Sequence, residues 1–135
     1  MAIFAWGDID EIVCQSPTLG SKRFFPKSAE DYTIDFGGIR TADDANSITA
    51  NAQDIKIMNR VRWRLEGPVA VDTESSELIY INSLHELAES PTWTITFLNG
   101  AIYKGVGGPV GDVQLSSNAG TMSLILAGGG KLEKI

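Results

Sequence analysis

The chain has 135 residues, the usual length of one domain, and its 43% hydrophobic and 21% charged residues are ordinary globular values. A net charge of −6 argues against a nucleic-acid-binding protein, which normally carries a basic balance. The single cysteine, Cys14, excludes an internal disulfide and is expected to be a small buried hydrophobe. The first residues are apolar and then acidic, unlike a secretory signal, and no apolar run is long enough for a membrane helix. We therefore expect a cytoplasmic protein without membrane insertion.

The N-terminal quarter predicts one strand followed by an arm. Residues 9–14 form a short apolar stretch that favours a strand. Residues 15–31 contain two prolines, a glycine and little periodicity, which predicts a loop or arm. Because exposed paired aromatics are unfavourable, we expect Phe24 and Phe25 in this arm to pack on the domain or on a neighbouring chain.

A second strand and a long polar segment follow. Residues 32–36 alternate between polar and apolar side chains and predict a strand that Gly37-Gly38 ends. Residues 39–52 are small and polar, which indicates either a long functional loop or two arms of a hairpin with its turn near residues 44–46. Asp43 and Asp44 in this segment lack the ligand spacing of a calcium loop, so a solvated acidic loop is favoured over a cation site.

Residues 53–66 give the clearest strand pattern in the chain. Apolar side chains occupy one parity and charged side chains the other, and Gly67-Pro68 is expected to break the strand. Arg60, Arg62 and Arg64 then lie on one face, about 7 Å apart at strand rise. Such a row could contact phosphates, but we favour ion pairs with a neighbouring chain, with a solvated face of scattered ion pairs as an equal alternative.

The only predicted helix lies within residues 75–89, where leucines and isoleucines repeat at helical spacing. Asn82 or Ser83 could cap it, because Glu86 stands three residues after Ser83 as in a capping box. Ser90-Pro91 would end the helix. His85 within it is expected to be solvated.

The last third predicts two pairs of strands. Asn99-Gly100 between two alternating runs is a strong hairpin signal, and a two-residue turn would place Leu98 opposite Ala101 and Phe97 opposite Ile102. Residues 110–115 and 121–127 predict a second pair joined by residues 116–120. The expected fold is mainly β, a β-sandwich or barrel-like arrangement of antiparallel sheets with one flanking α-helix.

No residue pattern indicates catalysis or a cofactor. One histidine, one cysteine and scattered carboxylates, including Asp72 and Glu74, do not form a zinc, calcium or nucleophile set. The glycine-rich residues 105–111 lie between strands and do not precede a helix, so they indicate a bend or bulge rather than a nucleotide loop. We expect no enzyme activity, no metal and no cofactor.

The order of these elements resembles the phage tail tube proteins, specifically the short family of contractile-tailed, Mu-like and P2-like phages. The resemblance covers residues 32–135 and rests on motifs in sequence order. These are Gly37-Gly38-Ile39-Arg40-Thr41, the long amphipathic strand, Val71-Asp72-Thr73, the helix ending at Leu87-Ala88-Glu89-Ser90, the Thr-x-Thr-Phe-Leu-Asn-Gly hairpin, Val110-Gly111-Asp112-Val113 and the Gly-x-Leu-Glu-Lys-Ile end.

The resemblance implies one tail-tube-like domain, residues 1–135, with a strand and arm in 1–31 and an inter-ring loop in 37–52. Hexameric rings would stack into a tube through which DNA passes during ejection without specific binding. The tail sheath, tape-measure and baseplate or terminator proteins would be partners, and the protein would be assembled in the host cytoplasm and reside in the virion tail. Contacts between subunits or rings would involve Phe24, Phe25, Arg40, Asp43, Asp44, Arg60, Arg62 and Arg64.

Two other functions fit the same sequence features. A hexameric ring protein of a type VI secretion-like injection machine would share the architecture and the self-assembly. A small β-barrel binding module for sugar or nucleic acid would instead use the Arg60, Arg62 and Arg64 row as its ligand site.

Overall fold

The computed structural model describes residues 3–41 and 47–135, and these segments contain two antiparallel sheets, a separate β-ribbon and one α-helix. The expectation of a mainly β fold with antiparallel sheets and a flanking helix is confirmed. The elements are β1 (Ile9–Ser16), β2 (Gly20–Phe24), β3 (Thr33–Asp35), β4 (Gly38–Thr41), β5 (Ser47–Ile48), β6 (Asp54–Ile55), β7 (Met58–Val61), β8 (Trp63–Ala70), α1 (Ser76–Glu86), β9 (Thr92–Phe97), β10 (Ile102–Val106), β11 (Gly108–Pro109), β12 (Leu115–Ser116), β13 (Thr121–Gly128) and β14 (Glu133–Lys134).

The first sheet has the strand order β14-β10-β9-β1-β2. In its central strand β9, side-chain burial alternates strictly along the chain. Trp93, Ile95 and Phe97 are buried, and the threonine that precedes each of them is half-buried. Such period-2 alternation buries one face of the strand against the core. The predicted strand at residues 9–14 is confirmed as β1, which extends to Ser16.

The second sheet has the order β11-β13-β8-β3, and β12 also pairs with β13. The long pair β8–β13 matches eight residues of each strand, from Thr121 opposite Ala70 to Gly128 opposite Trp63. Its buried side chains include Trp63, Leu65 and Leu126, all inaccessible to solvent. The two inner faces meet in one hydrophobic core that also contains Ile81 and Leu84 of α1.

The expectation of a loop or arm throughout residues 15–31 is wrong for residues 15–16, which end β1, and for residues 20–24. This segment forms β2, which pairs with β1 from Phe24 opposite Ile12 to Gly20 opposite Ser16. After β2 the chain crosses to the second sheet, where Pro26 bridges Val69. The prolines and glycine that suggested a loop lie at or outside the ends of β2, where a missing N–H or a tight turn is compatible with a strand.

The single strand expected at residues 53–66 is also wrong, because the chain there forms three strands, β6, β7 and β8. The expected break at Gly67-Pro68 is absent, and β8 continues through both residues. A Cβ on Gly67 would lie 2.5 Å from Cε2 of Tyr32, and the Tyr32 hydroxyl donates a hydrogen bond to the Pro68 carbonyl. Gly67 therefore leaves room for a packed tyrosine ring and does not mark the end of a strand.

The β9–β10 hairpin is present with a register one residue different from the expected one. Ile102 lies opposite Thr96 and Tyr103 opposite Ile95. The connection consists of residues 98–100, and Gly100 adopts φ +96°. A hydrogen bond from the Phe97 N–H to the Ala101 carbonyl closes it. Because a one-residue shift moves every side chain to the other face, Tyr103 faces the core and packs on Phe97, whereas Val106 is exposed.

Residues 110–114, expected to belong to a strand, are irregular, and only β11 and β12 on either side of them pair with β13. Gly111 adopts φ +74°, which is incompatible with extended strand geometry. The predicted connection at residues 116–120 is confirmed for residues 117–120, which join β12 to β13, whereas Ser116 belongs to β12.

The helix is confirmed, but its N-terminus lies upstream of Asn82 and Ser83, the residues expected to cap it. The Asp72 carboxylate accepts hydrogen bonds from the Ser76 backbone N–H (2.9 Å) and the Ser76 hydroxyl (2.5 Å). Glu77 in turn accepts from the Asp72 backbone N–H at 3.1 Å. This reciprocal pattern serves the same purpose as a capping box, whereas the Ser83 hydroxyl donates to the Ile79 carbonyl in mid-helix.

We expect Asp72→Ala to lower the melting temperature by a few degrees, because it removes the acceptor for the first turn of α1. The hydrogen bonds from Ser76 hold the pKa of Asp72 below its ordinary value. A carboxylate with a lowered folded-state pKa stabilises the fold above its unfolded pKa, and this contribution is lost as pH falls through the folded pKa. The difference between wild type and variant in thermal melts should therefore shrink below about pH 4.

Thr73→Ala is the control. Thr73 is an exposed neighbour whose hydroxyl forms no hydrogen bond among the described residues. An unchanged melting temperature for Asp72→Ala, or a difference that is equal at pH 3 and pH 7, would contradict the capping role.

Candidate assembly surfaces

A two-stranded ribbon leaves the sandwich between β3 and β8. We call its described residues, 38–41 and 47–61, the arm, which is distinct from the N-terminal arm expected at residues 15–31. Its base is the β4–β7 pair, with Gly38 opposite Val61 and Thr41 opposite Met58. Its outer part is the β5–β6 pair, with Ser47 opposite Ile55 and Ile48 opposite Asp54. Among the described residues, the strands of the arm pair only with each other. The arm is therefore an extension of the sandwich and not part of either sheet.

The turn of the arm lies at residues 49–53. The Ala52 N–H donates to the Thr49 carbonyl at 2.9 Å, and the Thr49 N–H donates to the Gln53 carbonyl at 2.7 Å. Of the two alternatives for residues 39–52, the hairpin is closer to the structure, but the turn lies at residues 49–53 and residues 54–61 supply the second strand. Residues 42–46, including Asp43 and Asp44, lie outside the described residues.

The arm exposes large apolar side chains on both of its strands. Every described residue of the arm is exposed except Gly38, Thr49 and Val61, which are half-buried. Ile39, Ile48 and Met58 are 58%, 68% and 63% exposed. An isolated two-stranded ribbon is only marginally stable in water, and clustered exposed apolar side chains are typical of interaction sites.

At the base of the arm, Arg40 is tied to the sandwich. Its guanidinium donates to both oxygens of the Asp35 carboxylate, one of them at 2.9 Å. These hydrogen bonds, together with one from the Gly37 N–H, lower the pKa of Asp35. Arg40 therefore has an intramolecular partner, and the expectation that it contacts another subunit remains untested.

The arginine row exists, but it crosses from the arm into the second sheet. Arg60 lies in β7, Arg64 in β8, and Arg62 between the two strands. All three are exposed, and Arg64 pairs with Glu66 at 3.2 Å. Within residues 3–41 and 47–135, neither the Arg60 nor the Arg62 side chain forms an ion pair or hydrogen bond.

The two adjacent phenylalanines have different environments. Phe24 is inaccessible to solvent and packs against Tyr80 and Trp93, each with a ring-centroid distance of 6.0 Å. It is therefore a core residue in this subunit. Phe25 is half-exposed, with the Arg23 guanidinium 5.8 Å from its ring centroid, and it remains available for a partner.

A second exposed apolar surface, not anticipated from the sequence, lies at the N-terminus. Ile3 and Phe4 are almost fully exposed. Trp6 meets the ring of Phe97 edge-on at 5.4 Å, and the Asn99 side chain donates to the Ala5 carbonyl. The only sequence signal for this surface was a run of apolar residues without strand periodicity.

The chemically reactive side chains are dispersed. Cys14 is buried beside the Tyr80 hydroxyl, and desolvation raises the pKa of its thiol to about 11, which makes it a poor nucleophile. His85 is exposed on α1, and Asp72 caps the helix. Across the described part of the chain, no three histidine, cysteine or acidic residues lie close enough together to hold a metal ion.

Comparisons with known proteins do not assign the chain to a family. No protein-family model matches it, and no curated protein has significant sequence similarity to it. In the described segments, α1 is too short to cross a membrane, and no other helix there has the required length and hydropathy.

Proposed function

We propose that this chain is the structural subunit of a phage tail tube and that it self-assembles into stacked hexameric rings. The observation that carries the proposal is the arm, whose described residues pair only with each other and expose Ile39, Ile48 and Met58. In a stack of rings, these side chains would be buried against the adjacent ring. The order of sequence motifs described above gives the proposal its specific identity.

Burial of the arm supplies a physical reason for assembly. Removing apolar surface from water contributes roughly 25 cal/mol per Å², and three large side chains per arm would be buried at every copy. The Phe25 ring and the N-terminal residues Ile3 and Phe4 offer further apolar area for contacts within a ring. Repetition of these contacts around a ring would stabilise the assembly although each contact alone is weak.

The charge of the chain is compatible with a conduit for DNA. At a net charge of −6, the assembled tube would repel phosphates on average, so that DNA would pass without being held. The proposal includes no catalytic step and no cofactor. The tail sheath, tape-measure and baseplate or terminator proteins are the partners that a tube subunit would require.

The proposal is tested by measuring assembly of the purified chain as a function of concentration. We expect sedimentation velocity to show a shift from monomers to rings and larger species, and negative-stain electron microscopy to show rings or tubes with a central channel. A chain that stays monomeric at millimolar concentration, in low and high salt, would overturn the proposal.

A further inference from the structure

The geometry points to a binding site for a small oxyanion, carried by a phosphate or a carboxylate group, in a cleft at the base of the arm. The cleft has a volume of about 250 Å³. We call it the base cleft, and its lining residues are Gly38, Arg60, Val61, Arg62, Gly129 and Gly130.

The first argument is the unneutralised charge in the base cleft. Arg23, Arg40 and Arg64 each pair with a carboxylate, whereas Arg60 and Arg62 have no partner in the described segments. None of the lining residues is acidic. Lys131 adds a third cation nearby, because a Cβ on Gly38 would lie 3.8 Å from its Cδ. Positive charge is thus concentrated in a concave site of an acidic chain.

The second argument is the glycine at position 129. Gly130 adopts φ +70°, which favours glycine for conformational reasons. Gly129 has no positive φ, and a Cβ there would meet no atom within 4 Å. Neither backbone conformation nor packing requires glycine at this position, and a larger side chain would project into open space beside the base cleft. Because Gly129 lines the base cleft, we expect a larger side chain there to narrow it.

The ligand class follows from the donors and the volume. A guanidinium presents a planar fork of N–H donors that matches the oxygens of phosphate and carboxylate groups. Pockets for drug-sized molecules begin at about 300 Å³, so the base cleft suits one small anionic group. Two arginines two residues apart can approach such a group together.

The experiment is an NMR titration of the ¹⁵N-labelled full-length chain at a concentration that keeps it monomeric. Inorganic phosphate and acetate are added in separate series at constant ionic strength, maintained with sodium chloride. We expect saturable shifts of the amides at residues 38, 60–62 and 129–130 with at least one of the two anions. The anion with the lower Kd identifies the preferred group, and the result does not depend on whether the protein forms tubes.

Three variants separate binding from general charge effects. Arg60→Gln/Arg62→Gln should weaken binding by about tenfold or more, because charge-assisted hydrogen bonds are lost. Arg64→Gln removes the same charge from the same row outside the base cleft and should change Kd by less than about twofold. Gly129→Leu should fold normally and no longer bind either anion. If the leucine side chain impairs folding, Gly129→Ala replaces this variant in the titration.

Three results would overturn the inference. These are shifts that do not saturate with either anion, an equal effect of Arg64→Gln and of the double variant, and unchanged binding in a folded Gly129→Leu protein.

Discussion

Replacing residues 40–59 with Asn-Gly is expected to give a folded, monomeric protein that no longer forms rings or tubes. The two ends to be joined, Ile39 and Arg60, lie opposite each other in the β4–β7 register, and Asn-Gly favours a two-residue hairpin turn. All described residues in the deleted segment except Thr49 are exposed, so the core of the sandwich is untouched. Circular dichroism melts should lie within a few degrees of the wild type, because the described part of the segment contributes a single ion pair to the sandwich, the exposed Arg40–Asp35 pair. Sedimentation velocity should show a single small species.

Point variants test whether the apolar side chains of the arm cause this loss. Ile48→Ser removes an apolar side chain that is 68% exposed on the arm, and Ile79→Ser removes one that is 61% exposed on α1. If Ile48 is buried on assembly, its loss should weaken subunit association by roughly tenfold or more. Ile79→Ser should have no such effect. A shortened chain that assembles as well as the wild type would show that the arm is not the assembly element.

Trp63→Ala is expected to destabilise the fold by about 3–5 kcal/mol, a large part of the stability of a typical domain. Trp63 is inaccessible to solvent, and its indole N–H donates to the Val106 carbonyl at 3.0 Å. Gly105 and Gly128 make room for the ring, since a Cβ on Gly128 would lie 2.7 Å from the indole nitrogen. The variant thus leaves a cavity and removes the hydrogen bond to the Val106 carbonyl. Urea denaturation measures the loss.

Trp6→Ala provides the matched control, because it removes the same side chain from a position that is 66% exposed. Its edge-on contact with Phe97 is partial, so we expect a loss of about 1 kcal/mol or less. If Trp63→Ala costs no more than Trp6→Ala, the indole does not hold the two sheets together as the structure indicates.

Local patterns in the sequence correctly indicated the helix and the strands β1, β3, β9, β10 and β13. Strict alternation in residues 92–97 and the turn residues Asn99 and Gly100 act over a few neighbours, so they can be read without knowledge of the fold. The register of the β9–β10 hairpin could not be read in this way. Packing of Tyr103 between Phe36 and Phe97 matches the three-residue connection, and Phe36 is distant in sequence from the turn.

The candidate surfaces were only partly predictable for the same reason. Phe24 and Phe25 look alike in the sequence, but the alternation of β2 directs Phe24 into the core, while Phe25 stays half-exposed. The arginine row was visible from its spacing, whereas the pairing of Arg64 with Glu66 and the unpaired state of Arg60 and Arg62 depend on where β7 ends and β8 begins. The exposed N-terminal residues left no periodic signal at all.

The sequence by itself determined that this protein is built mainly from antiparallel strands with one helix, because period-2 alternation, turn residues and helical spacing are local properties. It also supplied the order of motifs on which the proposed tube function is based. Only the tertiary structure decided that residues 38–41 and 47–61 form a separate ribbon with its turn at residues 49–53, and that Gly129 and Gly130 border a cleft beside two unpaired arginine side chains. These features depend on which distant segments pair and on which side chains remain without a partner, and local sequence patterns do not encode either one.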